Sequence, residues 1–228
     1  MDIIQQLELL AEKLGDLCEE VVVVGGCSPA LILDMSTAPD LRPTDDVDIL
    51  VQTESYGKYN DFIEEIKKRG FVEKLGDRIG RFRCGELVVD VMPTEVNALG
   101  FTNKWYKKAF ANAVDRKLPS GKFLKTVTPV YFIATKFEAF RDRGRNDLFA
   151  SPDLEDIITI IVEAAGFEDD LGQSEADVRE YISEEFEELV SHKDYPHFLA
   201  GCLGGDEASQ AFLPELRKII ERIASLRP

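Results

Sequence analysis

Residues 21–51 read VVVVGGCSPALILDMSTAPDLRPTDDVDILV, and this stretch decides the fold. Four valines before Gly25 and Gly26 predict a buried strand that ends in a tight turn, and SPALIL predicts the first turns of a helix. A second strand is predicted to begin at Asp46. Because strand side chains alternate between two faces, Asp46 and Asp48 are expected to share one face. Two carboxylates are therefore predicted to lie together beside a glycine turn.

Two like charges held this close require a proton or a cation between them. Mg²⁺ is the expected cation, because it binds carboxylate oxygens and completes its coordination shell with water and phosphate oxygens. The glycine pair adds a second feature, since N–H groups at a helix start bind phosphate and glycine permits close backbone approach. The stretch therefore predicts a phosphate-binding turn that faces a pair of metal-binding acids.

An apolar strand, Gly-Gly or Gly-Ser, and Asp-x-Asp on the next strand together resemble the signature of the nucleotidyltransferase superfamily that includes DNA polymerase β. Arg42, Thr44, Asp46 and Asp48 form the string R-x-T-x-D-x-D. This string resembles more narrowly the AbiEii and MenT toxin branch of the superfamily. The resemblance implies an enzyme that holds Mg²⁺ on Asp46 and Asp48.

The sequence departs from the family pattern at two points. Asp46 lies twenty positions after Gly26, a longer connection than in minimal members, and Cys27 stands where serine is common. Ser28 is then the nearest hydroxyl. The resemblance implies that Gly25, Gly26 and Ser28 contact the phosphates of a bound nucleoside triphosphate such as ATP.

A third acid stands in LVVDVMP at residues 87–93, which predicts another strand, closed by a proline. An acid inside an otherwise apolar strand needs a partner. The resemblance implies that Asp90 is a third catalytic acid and metal ligand beside Asp46 and Asp48. The alternative is that Asp90 lies at a strand end or sheet edge and meets water.

The second informative region begins with a helix start at Pro129, where a threonine precedes the proline as a cap. Lys136 and Arg143 follow at helical spacing around an alanine, and a second predicted helix carries Asp153 and Asp156. This K-x-x-A-x-x-x-R and D-x-x-D pattern resembles the segment that follows the catalytic sheet in the AbiEii and MenT branch.

The resemblance implies that Lys136 is catalytic and contacts the triphosphate, that Arg143 and Asp153 bind nucleotide, and that Asp153 or Asp156 completes the site. The residues alone also allow ordinary roles. Lys136 fits a solvated helix face, and Asp153 fits an acid satisfied by the dipole at a helix start.

Composition predicts a protein with a substantial apolar core. The chain has 228 residues, of which 44% are hydrophobic and 31% charged. No apolar run approaches the roughly 18 residues of a membrane span, and the acid-bearing N-terminal helix pattern is not that of a secretory signal. The four cysteines form no CxxC pair, which favours reduced thiols and the cytoplasm.

The net charge of −16 argues against broad, nonspecific binding of nucleic acid. Residues 101–145 nevertheless hold eleven basic and three acidic residues, whereas residues 163–188 hold eleven acids and one base. The first stretch suits a polyanion such as the 3′ end of a transfer RNA, and the overall charge suits a protein or small-molecule hydroxyl. Two solvated helical faces would give the same pattern.

The sequence therefore predicts an α/β catalytic domain over residues 1–127, with a small mixed sheet flanked by helices, and a helical domain over residues 128–228. The predicted activity is Mg²⁺-dependent transfer of a nucleoside monophosphate to an acceptor hydroxyl of transfer RNA or protein. If the chain is a toxin, a cognate antitoxin is its expected partner. The alternative is a non-catalytic, antitoxin-like module on the same fold that binds a partner.

Overall fold

The computed structural model describes residues 1–33, 41–52, 56–95, 103–143, 147–203 and 205–226. The chain divides into two compact units, residues 1–128 and residues 129–228. Within the described residues, the first unit holds a mixed β-sheet with helices and the second holds helices. The predicted fold class, a mixed sheet flanked by helices and followed by a helical region, is confirmed.

Six strands of unit 1 form one sheet in the order β3-β4-β2-β1-β6-β5 within the described residues. Strand β2 pairs with β4, and β1 with β6, in parallel, whereas the other neighbours are antiparallel. The strands are β1 Val21–Val24, β2 Val47–Val51, β3 Arg81–Cys84, β4 Leu87–Pro93, β5 Val114–Lys117 and β6 Phe123–Thr126. The helices of this unit are α1 Ile3–Leu14, α2 Pro29–Ile32, α3 Tyr56–Lys68 and α4 Tyr106–Ala111.

Apolar residues at helical spacing from Ile3 to Leu17 predict a helix over residues 3–17, and helix α1 is shorter than this. The stripe continues to Leu17, but the helix ends at Leu14 and the chain continues as a 3₁₀ turn through Glu20. Gly15 adopts a φ of 58° at this point, a conformation that glycine tolerates and that ends the helix. Leu17 is still buried, so the stripe correctly identifies its inward face.

The segment after helix α3 corrects a predicted strand. Residues 71–74 are expected to form one, but within the described residues only Val72 forms a bridge, with Arg83. The sequence also predicts a strand over residues 79–84, and the corresponding strand β3 begins at Arg81, after Gly80 with a φ of 87°. The residues between Val72 and Arg81 therefore form a loop that leads directly into an edge strand of the sheet.

Unit 2 consists of helices around an apolar core in its described part. The rings of Phe137 and Phe186 meet edge to face at 4.9 Å, and Ser151 caps α6 by accepting a hydrogen bond from the Leu154 amide. No helix in the described ranges is long and apolar enough to cross a membrane. The helices are α5 Pro129–Asp142, α6 Pro152–Glu163, α7 Phe167–Gln173, α8 Ala176–Ser191, α9 Tyr195–Cys202 and α10 Glu207–Ala224.

Candidate active site

The sheet brings the three predicted acids of unit 1 together. Asp48 on β2 is the register partner of Asp90 on the parallel neighbour β4, and Asp46 immediately precedes β2. The contacts of one nitrogen atom show how close the three carboxylates lie to one another. Nη2 of Arg78 lies 3.8 Å from Oδ2 of Asp46 and 3.9 Å from Oδ1 of Asp48, and it hydrogen-bonds to Oδ2 of Asp90. Asp90 is buried, so the alternative in which it meets water at a strand end is wrong.

Position 25 must be glycine because the carboxylate of Asp48 lies against it. The φ of Gly25 is 68°, and a Cβ added to it would overlap Oδ2 of Asp48. Any other residue would therefore both strain the backbone and displace this carboxylate. The turn predicted from the glycine pair is thus the surface against which Asp48 packs.

The segment before β2 is fixed by hydrogen bonds. The hydroxyl of Thr44 donates to Oδ1 of Asp46 at 3.3 Å, and the Thr44 carbonyl accepts from Nε2 of Gln6 on α1 at 2.8 Å. A Cβ at Gly26 would lie 3.2 Å from the Thr44 hydroxyl oxygen, so this segment also packs closely on the glycine turn. Thr44, which the resemblance singled out within a motif, therefore positions the Asp46 carboxylate.

Ser28 and Cys27 have roles in packing. The Ser28 side chain is fully buried, and its hydroxyl donates to the carbonyl of Val23 at 3.2 Å. The thiol of Cys27 donates to the carbonyl of Asp46 at 3.5 Å, so the residue that replaces the family's usual serine contacts the acid-bearing segment. Contact of the Ser28 hydroxyl with a phosphate would require the loss of its bond to Val23, and that contact stays a prediction.

Arg81 is a residue of the site that was not predicted from the sequence. It lies opposite Asp90 in the antiparallel pairing of β3 and β4. Its Nε donates to Oδ1 of Asp90 at 2.8 Å and its Nη2 to Oδ2 at 2.8 Å, and Nη2 also bonds to Oδ2 of Asp46. A signal was present in the sequence. Counting back from the tight turn at Gly85 pairs residue 84 with 87 and therefore Arg81 with Asp90.

Sequence analysis also missed Arg78, which lies in the loop before β3. Its side chain is 51% exposed, whereas that of Arg81 is 23% exposed. Both guanidinium groups reach the acids, so two positive charges face three carboxylates. No strand or helix period predicts the contacts of a loop residue such as Arg78.

The two arginines favour the charged form of Asp90. Burial alone would raise the pKa of Asp90, but hydrogen bonds from Arg81 and Arg78 outweigh it, so the pKa is lowered from its ordinary value. The hydrogen bond to Asp90 likewise raises the pKa of Arg81 and that of Arg78. The repulsion expected among the acids is therefore relieved by guanidinium groups.

The donor set fits a divalent cation, because carboxylate oxygens are the ligands that Mg²⁺ prefers. Gly25 leaves space for one of these carboxylates, and Arg78 and Arg81 act as stand-in cations among them. As they stand, no three acidic, histidine or cysteine side chains in the described part of the chain are arranged to hold a metal ion. Metal binding at these acids therefore requires their side chains to rearrange.

The predicted residues of unit 2 form an ion-pair cluster around the buried Lys136. Nζ of Lys136 lies 3.1 Å from Oδ1 of Asp153 and 2.6 Å from Oδ2 of Asp156. Nη1 of Arg143 lies 2.6 Å from Oδ2 of Asp153. Lys136 is buried, so the alternative of a solvated lysine is wrong, and both acids have cationic partners in addition to the helix start. Their contact with a nucleotide stays a prediction.

The basic stretch at residues 101–145 is shared between the two units. In unit 2, Lys136, Arg141 and Arg143 each pair with a carboxylate, which lowers the positive charge available to a polyanion. Arg145 lies outside the described residues. A nucleic-acid acceptor stays a prediction.

Comparison with solved structures finds similar folds at low sequence identity. The crystal structure of JHP933 from Helicobacter pylori aligns with a TM-score of 0.51 and 10% identity, over 98% of this chain and 92% of that one. The "crystal structure of putative nucleotidyltransferase from H. pylori" aligns with a TM-score of 0.49 and 12% identity, over 97% of this chain and 94% of that one. The first match supports a shared fold, and no family model or curated protein sequence matches the chain.

Proposed function

We propose that this chain is a nucleotidyltransferase that transfers a nucleoside monophosphate from a nucleoside triphosphate to an acceptor hydroxyl. The observation that carries the proposal is the convergence of Asp46, Asp48 and Asp90 at neighbouring strands beside Gly25. The three side chains range from buried to about one-quarter exposed, so ions can reach the cluster. A nucleotidyltransferase is also what the sequence motif resembles.

In this proposal Asp46, Asp48 and Asp90 hold Mg²⁺. Bound Mg²⁺ would supply Lewis-acid activation of the acceptor hydroxyl and neutralise negative charge on the departing pyrophosphate. The chain itself supplies position and electrostatics, which dominate phosphoryl-transfer catalysis. Thr44 orients Asp46, and the backbone of Gly25 and Gly26 permits a phosphate to approach the acids closely.

Nucleotide binding by Lys136, Arg143 and Asp153 is part of the proposal. Of the three, Arg143 is the accessible member, with 65% of its side chain exposed. Lys136 contributes to nucleotide binding indirectly, through its positive charge and through its contact with Asp153. Its amino group is already enclosed by carboxylates. A nucleotide that needs Lys136 directly would have to displace at least one of these acids.

The proposed acceptor is a hydroxyl of transfer RNA or of a protein, as in a toxin of the AbiEii and MenT type with a cognate antitoxin. Salt dependence separates the acceptor classes. A nucleic-acid acceptor must release counterions, so its affinity falls steeply with added salt. Absence of binding to transfer RNA at low salt would eliminate the RNA acceptor and leave the protein acceptor.

The direct test is transfer of label from each α-labelled nucleoside triphosphate, with Mg²⁺, into total RNA or protein. Asp48→Asn is the informative variant, and Asp45→Asn is its matched control, because Asp45 is an exposed acid three positions away with the same charge. We expect label transfer by the parent protein and by Asp45→Asn, and a loss of at least about 100-fold in Asp48→Asn. Circular dichroism verifies that both variants are folded.

Equal transfer by Asp48→Asn and the parent protein would refute the assignment of the site. No transfer by the folded parent protein to RNA or to protein would remove the proposed acceptors.

A second candidate function is a partner-binding module without catalysis. The observation that favours it is the pairing of the acids with Arg78 and Arg81, which gives them a structural reason to persist. Mutually repelling acids are thus no argument against this candidate. Co-purification of a stoichiometric partner, together with no metal-dependent binding of nucleotide, would support the module over the enzyme.

A further inference from the structure

Arg78 occupies the position among the acids where a cation is expected. Its Nη2 bonds to Asp90 and lies within 3.9 Å of carboxylate oxygens of both Asp46 and Asp48. A divalent cation that binds the same oxygens cannot share this space with a guanidinium group. We propose that Arg78 is a built-in competitor of the divalent cation, so that metal binds only when Arg78 leaves the acids. This inference rests on the proposed function.

The two arginines differ in how firmly they are held. Arg81 belongs to strand β3, and its guanidinium makes two hydrogen bonds of 2.8 Å to the two carboxylate oxygens of Asp90. Arg78 belongs to a loop and is about half exposed. Fork-shaped pairing with two parallel bonds is the stronger and more specific geometry. Arg78 is therefore the exchangeable cation and Arg81 the permanent one.

The loop that carries Arg78 buries little apolar surface, although backbone hydrogen bonds from the amides of Arg81 and Val91 to the carbonyls of Arg78 and Gly80 hold it to the sheet. Leu75 is fully exposed and Ile79 is 71% exposed, so moving the loop uncovers little buried apolar surface. Gly76 and Gly80 lie on either side of Arg78, with φ values of 95° and 87°. Because the backbone is held in this way, displacement of Arg78 is mainly a rotation of its half-exposed side chain.

The base of the same loop is anchored. Val72 and Arg83 exchange two backbone hydrogen bonds of 2.9 Å, and the guanidinium of Arg83 pairs with Asp77 at 2.8 and 3.0 Å. Because Asp77 directly precedes Arg78, this pair returns the loop to one place. Arg78 can thus leave the acids and return without unfolding of strand β3.

The charge of Arg78 determines how strongly it competes with a divalent cation for the three acids. Withdrawal of Arg78 removes one positive charge from beside Asp46, Asp48 and Asp90. A divalent cation therefore meets stronger attraction when Arg78 is absent. Removal of the Arg78 charge, close to 4 Å from two of the acids, should tighten metal binding by about tenfold after partial screening by solvent.

The test measures Mn²⁺ binding by electron paramagnetic resonance, without nucleotide and without any activity assay. Arg78→Gln is the variant, and Lys74→Gln is its matched control. Lys74 is an exposed cation of the same loop that has no ion pair among the described residues. We expect about tenfold tighter binding in Arg78→Gln and a change below about twofold in Lys74→Gln.

Equal affinity of folded Arg78→Gln and the parent protein, with binding abolished in Asp48→Asn, would overturn the competition and leave the proposed metal site intact. Equal tightening in Lys74→Gln would also overturn it, because the effect would then be general electrostatics. If neither the parent protein nor Arg78→Gln binds Mn²⁺ at millimolar concentration, both the metal-dependent function and this inference fail.

A second measurement avoids the risk that Arg78→Gln does not fold. In the parent protein labelled with ¹⁵N-arginine, the Nε–H resonance of Arg78, assigned by its loss in Arg78→Lys, reports on the ion pair. We expect saturating Mg²⁺ to shift this resonance and accelerate its exchange with water, with a smaller effect on Arg81. An unchanged Arg78 resonance at saturating Mg²⁺ would overturn the proposal.

Discussion

Lys136→Met should destabilise unit 2, because it removes the charge that neutralises two buried acids. Only 9% of the Lys136 side chain is exposed, against 3% for Asp153 and 9% for Asp156. Breaking a buried ion pair by removing one partner costs about 3–5 kcal/mol. Methionine preserves most of the aliphatic stem, so the loss reports mainly the charge. Since Arg143 still pairs with Asp153, we expect a value near the lower end, about 3 kcal/mol.

Urea denaturation followed by circular dichroism at 222 nm measures this loss of unfolding free energy. Arg143→Met is the matched control, because it contacts the same Asp153 but is 65% exposed. Its expected cost is below about 1 kcal/mol. Lys136→Met combined with Asp156→Leu should recover stability, since the remaining Arg143 and Asp153 balance in charge.

A loss below about 1 kcal/mol for Lys136→Met would refute the view that this cluster is a structural ion-pair network. Lys136 would then be held in place without contributing to the fold, and its prediction as a nucleotide contact would gain support. The expected large loss would instead require nucleotide-binding tests of Lys136 variants to be corrected for stability.

Three further predictions concern other parts of the chain. Gly25→Ala should lower the unfolding free energy by about 2 kcal/mol or more in thermal or urea melts and should weaken Mn²⁺ binding. Gly85→Ala is the control, because Gly85 has a φ of 63° and a Cβ there would meet no atom within 4 Å, so it should show only the backbone cost of about 1 kcal/mol. A hydrogen bond from Arg222 lowers the pKa of Glu168, so this pair stabilises the fold above the ordinary glutamate pKa and the benefit is lost as the pH falls. The difference in unfolding free energy between the parent protein and Arg222→Gln should therefore be below about 1 kcal/mol at pH 7 and shrink as the pH falls below the ordinary glutamate pKa, and a difference that grows with acid would refute the pairing. Burial raises the pKa of the Cys202 thiol to about 12, so iodoacetamide at pH 8.5 should modify it far more slowly in the folded protein than in urea, as peptide mass spectrometry would measure.

The elements and residues that could be predicted from the sequence are those that one periodicity or one motif is enough to identify. The valine run and the glycine pair identified β1 and its turn, and the apolar run at residues 87–93 identified β4 with Asp90 inside it. Parallel pairing of β2 with β4 then aligned Asp48 with Asp90, as a shared site requires. The arrangement of these acids was thus readable from local patterns together with the family resemblance.

The parts that sequence reasoning missed depend on contacts between distant residues. Arg78 joins the acids from a loop, and its position depends on the Val72 bridge and on two glycines, none of which produces a period. The predicted strand at residues 71–74 is reduced to the bridge between Val72 and Arg83, because the two apolar residues Phe71 and Val72 do not fix how many residues pair with the neighbouring strand. The buried state of Lys136 was also hidden, since lysine is rarely buried unless it is paired.

Because two arginines pair with the acids, the presence of three acids is not by itself evidence for catalysis at this site. Acids that two guanidinium groups stabilise need no catalytic role to explain their presence. Asp48 nevertheless occupies a position where only glycine at position 25 leaves room, beside a glycine turn that solvent can reach. Under the proposed function, the withdrawal of Arg78 in favour of a divalent cation would give these acids a role besides their pairing with the arginines. The affinity of Arg78→Gln for Mn²⁺ therefore bears on the reason for the acid cluster as well as on its regulation.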